Sequence, residues 1–229
     1  MRGSLILGLL AVLLPAAKGQ FLCSLCTSSL ANCSTNTETC KVTSLQGACI
    51  FTLETVSSGG NDKENVHAAC VEDRAACRAN LLSLTVGTDT RVRANSVCCQ
   101  GDKCNQNLTV AVPSNSTATN GLQCVACDAP NADECKDNLN VPCMGSEDHC
   151  IDFAGTLAAN TNTTLILKGC ATQSACELKV NESFYYSQNT YTLTKANCLP
   201  ATSKGSTTAV HALAFFSMLA GLLLVKQLS

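Results

Sequence analysis

Apolar and polar positions are distributed very unevenly along the 229 residues. An apolar run from Leu5 to Leu14 opens the chain, and another, Ala212 to Val225, closes it. Between them the apolar positions come in short bursts with β-branched and aromatic residues, which favour strands. Ile50 to Val56, Leu81 to Val86, Thr164 to Lys168, and Tyr185-Tyr186 through Tyr191 to Thr194 are predicted strands. Ser57 to Asp62, Gly87-Thr88-Asp89 and Asn160-Thr161-Asn162 supply turn signals between them. Asp62 to Asn80, with its charges and alanines, is the segment suited to a helical turn. The pattern predicts a small, all-β, loop-dominated chain.

The terminal runs predict an address. Met1-Arg2, the run to Leu14 and then Pro15-Ala16-Ala17-Lys18-Gly19 have the layout of a secretory signal peptide, with small residues at Ala17 and Gly19 before a cut at Gln20. Its apolar part covers about half of a ~30 Å hydrocarbon core, too little for a membrane anchor. At the far end, 14 apolar residues give a helix of only about 21 Å. Small residues, a polar spacer and this short hydrophobic end match a signal exchanged for a glycosylphosphatidylinositol (GPI) anchor, with Ser203 or the nearby Gly205 as the attachment residue. A short single-pass helix is the alternative. The expected location is the outer face of the plasma membrane, with shedding from it, and the outer leaflet is contacted through the anchor lipid.

Composition sharpens this picture. The chain has 18 cysteines, no tryptophan and 14 % charged residues. Losing both ends removes Arg2, Lys18, Lys204 and Lys226, leaving eleven basic groups against 17 acidic ones. That balance excludes a nucleic-acid surface. So few apolar residues call for covalent staples and exclude a large cytosolic enzyme with one deep core.

The cysteines repeat. From Cys23 to Cys98 the intervening residues number 2, 6, 6, 8, 20, 6 and 20; from Cys124 to Cys198 they number 2, 7, 7, 6, 19, 5 and 21. Seven gaps agreeing within two residues identify a duplicated module. An even count in each module reads as closed internal pairing, although spacing alone allows 105 pairings for eight cysteines. Between the modules, 106–122 is rich in Asn, Ser and Thr and reads as an exposed, glycosylated linker carrying the sequons at Asn107 and Asn115. Further sequons start at Asn32, Asn162 and Asn181, the first with Cys33 inside it.

Cys98-Cys99-Gln100-Gly101-Asp102-Lys103-Cys104-Asn105 resembles the closing run of the lymphocyte antigen-6/urokinase receptor (Ly-6/uPAR) domain. Leu167-Lys168-Gly169-Cys170 and the opening Cys-x-x-Cys of each module are similar to the same family. The resemblance spans Phe21 to Cys198. It implies two tandem three-finger, snake-toxin-like domains at 20–105 and 123–199, after a signal peptide at 1–19 and before an attachment signal at 200–229. It further implies the pairs Cys23–Cys49, Cys26–Cys33, Cys40–Cys70, Cys77–Cys98 and Cys99–Cys104, then Cys124–Cys150, Cys127–Cys135, Cys143–Cys170 and Cys176–Cys198. Module two departs from the family by lacking the last pair, with Leu199-Pro200 following Cys198. In this it resembles soluble two-domain phospholipase inhibitors, which carry no anchor.

No catalytic constellation stands out. The Cys-x-x-Cys pairs read as structural rather than redox or zinc motifs. His67 and His149 read as lone surface histidines, and the acidic stretch Asp133, Glu134, Asp137, Glu147 and Asp148 as a solvated face. No cofactor or metal is expected. The function expected is that of a non-enzymatic, GPI-anchored surface glycoprotein binding an extracellular protein through its fingers, as a receptor, adhesion protein or modulator. A phospholipase-inhibitor-like role and a mucosal barrier role are the alternatives. Loop tips on a rigid scaffold carry recognition, here Val56 to Val66, Thr85 to Arg93, Ala154 to Thr164 and Glu182 to Tyr191. The last region holds Tyr185, Tyr186 and Tyr191, a residue type favoured at interfaces, with aromatic cross-strand packing as the competing explanation.

Overall fold

The computed structural model describes residues 20–77, 81–106, 108–132, 134–136 and 139–203. The signal-peptide reading, Asn107, Asp133, Asp137, Gly205 and the terminal apolar run lie outside them. Module one comprises β1 (Phe21–Ser24), β2 (Cys26–Ser28), a six-residue helix α1 (Leu30–Thr35), β3 (Thr39–Val42), β4 (Ala48–Ser58), β5 (Asn61–Val71), β6 (Leu81–Thr85) and β7 (Thr90–Cys99). Module two comprises β8 (Thr119–Pro130), β9 (Leu139–Met144), β10 (His149–Leu157), β11 (Asn160–Ala171), β12 (Ser183–Tyr186), β13 (Asn189–Pro200) and the two-residue β14 (Thr202–Ser203).

Each long finger follows from its sequence. β4 is apolar on both faces through Ile50, Phe51 and Leu53, so it sits centrally, paired to β5 and β7. The β4–β5 hairpin closes at Gly59-Gly60, where φ values of 56° and 81° place both central residues in the left-handed region. Glycine adopts that conformation without steric cost, and a primed turn matches the twist of the strands.

Three local readings give way to long-range pairing. The segment suited to a helical turn holds one, the 3-10 turn at Arg74–Cys77, but from Asn61 to Val71 it is strand, because an eleven-residue ladder with β4 satisfies its backbone. The β10–β11 finger turns at Ala158-Ala159, ahead of the Asn160 to Asn162 signal, since Leu157 pairs with Asn160 across a bulge. The segment read as an exposed linker is docked on module one. Leu108 and Val110 pack against Phe51, Val66 and Ala68. Arg91 donates to the Ser116 carbonyl (3.2 Å) and Asn95 to that of Ala111 (2.6 Å). Its last residues, from Thr119, already belong to β8.

The modules are joined edge to edge. β11 pairs with β6 through Cys170 to Thr85 and Ala171 to Leu84, so one sheet runs β12-β13-β10-β11-β6-β7-β4-β5-β2 across both. This sheet curls, bringing β12 at one end against β4 and β5 near the other. Inside the curl lies an apolar cluster to which both modules contribute: Leu82, Leu84 and Val92 from the first, Phe153, Leu165, Leu167, Phe184 and Leu193 from the second. The expectation of staples without a substantial core is thereby corrected. Neither module builds this core alone, but pooling two apolar faces does.

Candidate binding surface

Nine disulfides hold the fingers: Cys23–Cys49, Cys26–Cys33, Cys40–Cys70, Cys77–Cys98 and Cys99–Cys104 in module one, and Cys124–Cys150, Cys127–Cys135, Cys143–Cys170 and Cys176–Cys198 in module two. The two cysteines of each Cys-x-x-Cys bond to different partners. Two groups of three sulfurs, Cys23/Cys40/Cys70 and Cys124/Cys143/Cys170, lie close together. All six are spent in S–S bonds, so neither group offers the thiolates a metal requires.

The tyrosines singled out at the finger of module two face inward. Tyr186 and Tyr191 are each 5 % exposed and belong to the shared core. Tyr185 stacks on His67 of module one, with ring centroids 4.6 Å apart and planes 16° from parallel. Tyr186 and Tyr191 therefore serve the shared core, and the half-buried Tyr185 serves the junction between modules. A tyrosine looks the same in sequence at an internal interface and at an external one.

Two buried carboxylates sit across this junction. Glu54 of β4 is fully buried and accepts from Asn65 Nδ2 (3.0 Å) and from the Ser187 backbone N–H of module two (2.9 Å). Gln188 Nε2 donates to Asn65 Oδ1 at 2.6 Å. Ser187 and Gln188 both hold positive φ, 48° and 68°, a conformation that L-residues seldom adopt. Hydrogen bonds from module one thus stabilise a costly turn in module two. In the reverse sense, Glu147 of module two is 1 % exposed and accepts from Ser83 Oγ of module one at 2.8 Å and from the Met144 N–H at 3.1 Å. It lies apart from the solvated acidic face to which its sequence neighbours assign it.

Burial pushes both carboxyls above the usual carboxylate range, against the opposing pull of their hydrogen bonds. His67, read as a surface histidine, is instead covered by Tyr185 and donates to or accepts from Thr27 Oγ1 at 3.0 Å. Desolvation lowers its pKa to about 4. His149 meets Asp148 at 2.7 Å. The signs differ. A carboxyl with a raised folded-state pKa adds stability as the pH falls through that value and loses it as the pH rises past it. A histidine with a lowered pKa adds stability above its unfolded value of 6.5 and loses it as the pH falls towards 4. Glu54→Gln keeps an acceptor for Asn65 or Ser187 but removes the proton uptake. The stability difference, wild type minus variant, is expected to grow from about pH 8 to about pH 5 in urea titrations. Parallel pH profiles would overturn this reading of Glu54.

A groove of about 740 Å³ lies open to solvent between the modules. One wall is formed by the module-one tips at Ser58-Gly59 and Gly87 to Thr90, the other by β8 from Ala126 to Pro130 and the stretch after it. Asn32, Asn115, Asn162 and Asn181 are all exposed. Ser203 ends β14, beside Leu122 of β8, and is exposed.

Comparison with known proteins finds the u-PAR/Ly-6 domain twice, at residues 19–107 and 120–201. Phospholipase A2 inhibitor NAI of Notechis ater is 28 % identical over 156 residues, 68 % of this chain and 76 % of its own. Ly6/PLAUR domain-containing protein 8 of Bos taurus is 27 % identical over 186 residues, 77 % of this chain and 76 % of its own. The crystal structure of mouse TEX101 aligns at 16 % identity with a TM-score of 0.39, covering 80 % of this chain and 100 % of that one.

Proposed function

This chain belongs to the u-PAR/Ly-6 domain family, with two tandem copies of the domain, and from that premise we propose that it is a non-enzymatic, GPI-anchored cell-surface glycoprotein that binds an extracellular protein. One observation supports the reading above others: two finger tips of module one meet β8 and the stretch after it in module two at one groove, while a shared core locks the modules together. A rigid scaffold that presents loops is suited to recognition. The buried titratable groups at the junction serve packing between the modules.

Anchoring at Ser203 or Gly205 rests on the terminal sequence, and the exposed position of Ser203 is compatible with it. Among the described residues no helix is long and apolar enough to cross a membrane. Bacterial phosphatidylinositol-specific phospholipase C is expected to release the full chain from transfected cells. Retention on the surface after digestion would overturn the anchor.

The relatives named phospholipase A2 inhibitors favour a second reading, in which the protein partner is a secreted phospholipase. Titrating the ectodomain, residues 20–203, into a secreted phospholipase A2 assay separates the two. Stoichiometric inhibition would install the second reading. Unchanged turnover leaves the surface-binding role.

A further inference from the structure

The groove between the modules has a chemistry that selects its occupant. Asp89, from the β6–β7 tip, and Asp128 and Glu134, from module two, line it and are exposed; Lys136 is the basic residue beside them. Among the described residues none of these three carboxylates has a cation within ion-pair distance. One oxygen of Asp128 accepts from Tyr186 Oη at 2.6 Å, which anchors that carboxylate to the shared core.

Arg91 and Arg93, on the strand that follows the β6–β7 tip, are engaged away from these carboxylates. Arg93 pairs with Asp62 at 3.1 Å and reaches the Pro113 carbonyl, and Arg91 is bound to the Ser116 carbonyl in the segment between the modules. Three carboxylates against one lysine leave the lining of the groove net negative. Apolar side chains line the same groove beside the carboxylates, among them Ala129, Pro130 and the 52 % exposed Leu139. Exposed apolar side chains beside carboxylates fit a long aliphatic stem that ends in a cation, as in lysine and arginine. Module one supplies one wall and module two the other, so the site exists only while the modules stay joined.

We propose that this groove receives a lysine- or arginine-bearing loop of the protein partner. The assignment rests on the reading of this surface as protein-binding and adds the chemical class of what it binds. Opposite charge across such a surface raises the association rate and rejects acidic competitors more than it raises affinity. Binding weakens with salt because the carboxylates are solvent-exposed and screened within about 8 Å at physiological ionic strength.

The test uses the disulfide-intact ectodomain, residues 20–203. Its probes are two end-blocked hexapeptides, one alternating lysine with leucine and the other glutamate with leucine. The lysine peptide is expected to bind, more weakly as salt rises, while the glutamate peptide does not. D89N/E134Q is expected to weaken lysine-peptide binding roughly three- to tenfold, as two partly exposed charge pairs imply. Both substitutions are on the surface, and an unchanged melting curve shows that the variant is folded. Equal binding of the two peptides, or no effect of D89N/E134Q, overturns the proposal. The broader reading fails separately. A protein partner that binds the ectodomain and ignores D89N/E134Q removes the groove assignment alone, whereas an ectodomain that engages no protein removes the binding role itself.

Discussion

Replacing Gly169 by alanine is expected to part the two modules. A Cβ at this position would lie 2.1 Å from the Thr85 carbonyl oxygen, 2.9 Å from its carbon and 3.0 Å from Val86 Cα. All three are backbone atoms, so no side chain can swing aside. Relief requires β11 to move away from β6, and these strands carry the pairings of Cys170 with Thr85 and Ala171 with Leu84. The Thr172 N–H to Ser83 carbonyl bond lies one step along and depends on the same approach. Overpacking a well-fitted interior costs about 1–3 kcal/mol and sometimes more. Here it is compounded by lost backbone hydrogen bonds of about 1 kcal/mol each. We expect Gly169→Ala to lower stability by roughly 3 kcal/mol or more, and to split a joint urea transition into two. Gly87→Ala is the control. Its Cβ would meet nothing nearer than 3.5 Å, so stability should change by less than about 0.5 kcal/mol. A Gly169→Ala protein that melts in one transition at the wild-type midpoint would show that the modules do not depend on this contact.

Removing Cys143–Cys170 is expected to destabilise far more than removing Cys99–Cys104. The first pair closes a sequence separation of 27, the second only 5. In the chain-entropy account these closures are worth about 3.6 and about 2.2 kcal/mol. Both sulfurs of the longer link are fully buried, and Cys170 is itself a residue of the β11–β6 junction. C143A/C170A therefore loosens module two at the place where it meets module one. Calorimetry of this double variant should show a drop of roughly 10 °C or more, with C99A/C104A falling by clearly less. Equal drops would mean that loop length and burial do not set the worth of these links. The same arithmetic explains how module two tolerates the lack of the closing pair. The loop missing there is the short one, whose entropic contribution is the smallest, and the core shared with module one adds stability that an isolated domain would lack.

Parts of this fold were plain in the sequence because their causes are local. A Gly-Gly pair after the β-rich run Ile50 to Val56 sets the turn that ends β4, and matched cysteine spacing sets two modules. The acid at position 54 carried a legible warning, standing inside a strand whose neighbours Ile50, Phe51, Leu53 and Val56 are apolar. An acid in a strand buried on both faces needs a built partner. That signal could have pointed to the junction, although nothing in it identifies Ser187 as the donor 133 positions away. The tyrosines misled for a related reason. Composition registers their preference for interfaces and is silent on which interface. Asp62 to Asn80 was legible only in its second half, the turn at Arg74–Cys77, since the helical composition of its first half is weaker than the ladder that β4 offers.

Covalent spacing and short-range turn chemistry were enough to establish a duplicated, cross-linked, β-rich chain with apolar termini, because each of those features is written within a few residues or in a repeating count. The joining of the fingers into one curled sheet, the common core and the negative groove came from the folded molecule alone. They arise where backbones roughly 85 to 135 residues apart come into contact. Such contacts depend on the summed shape of two modules, and a glycine that permits close approach looks in sequence like any other glycine.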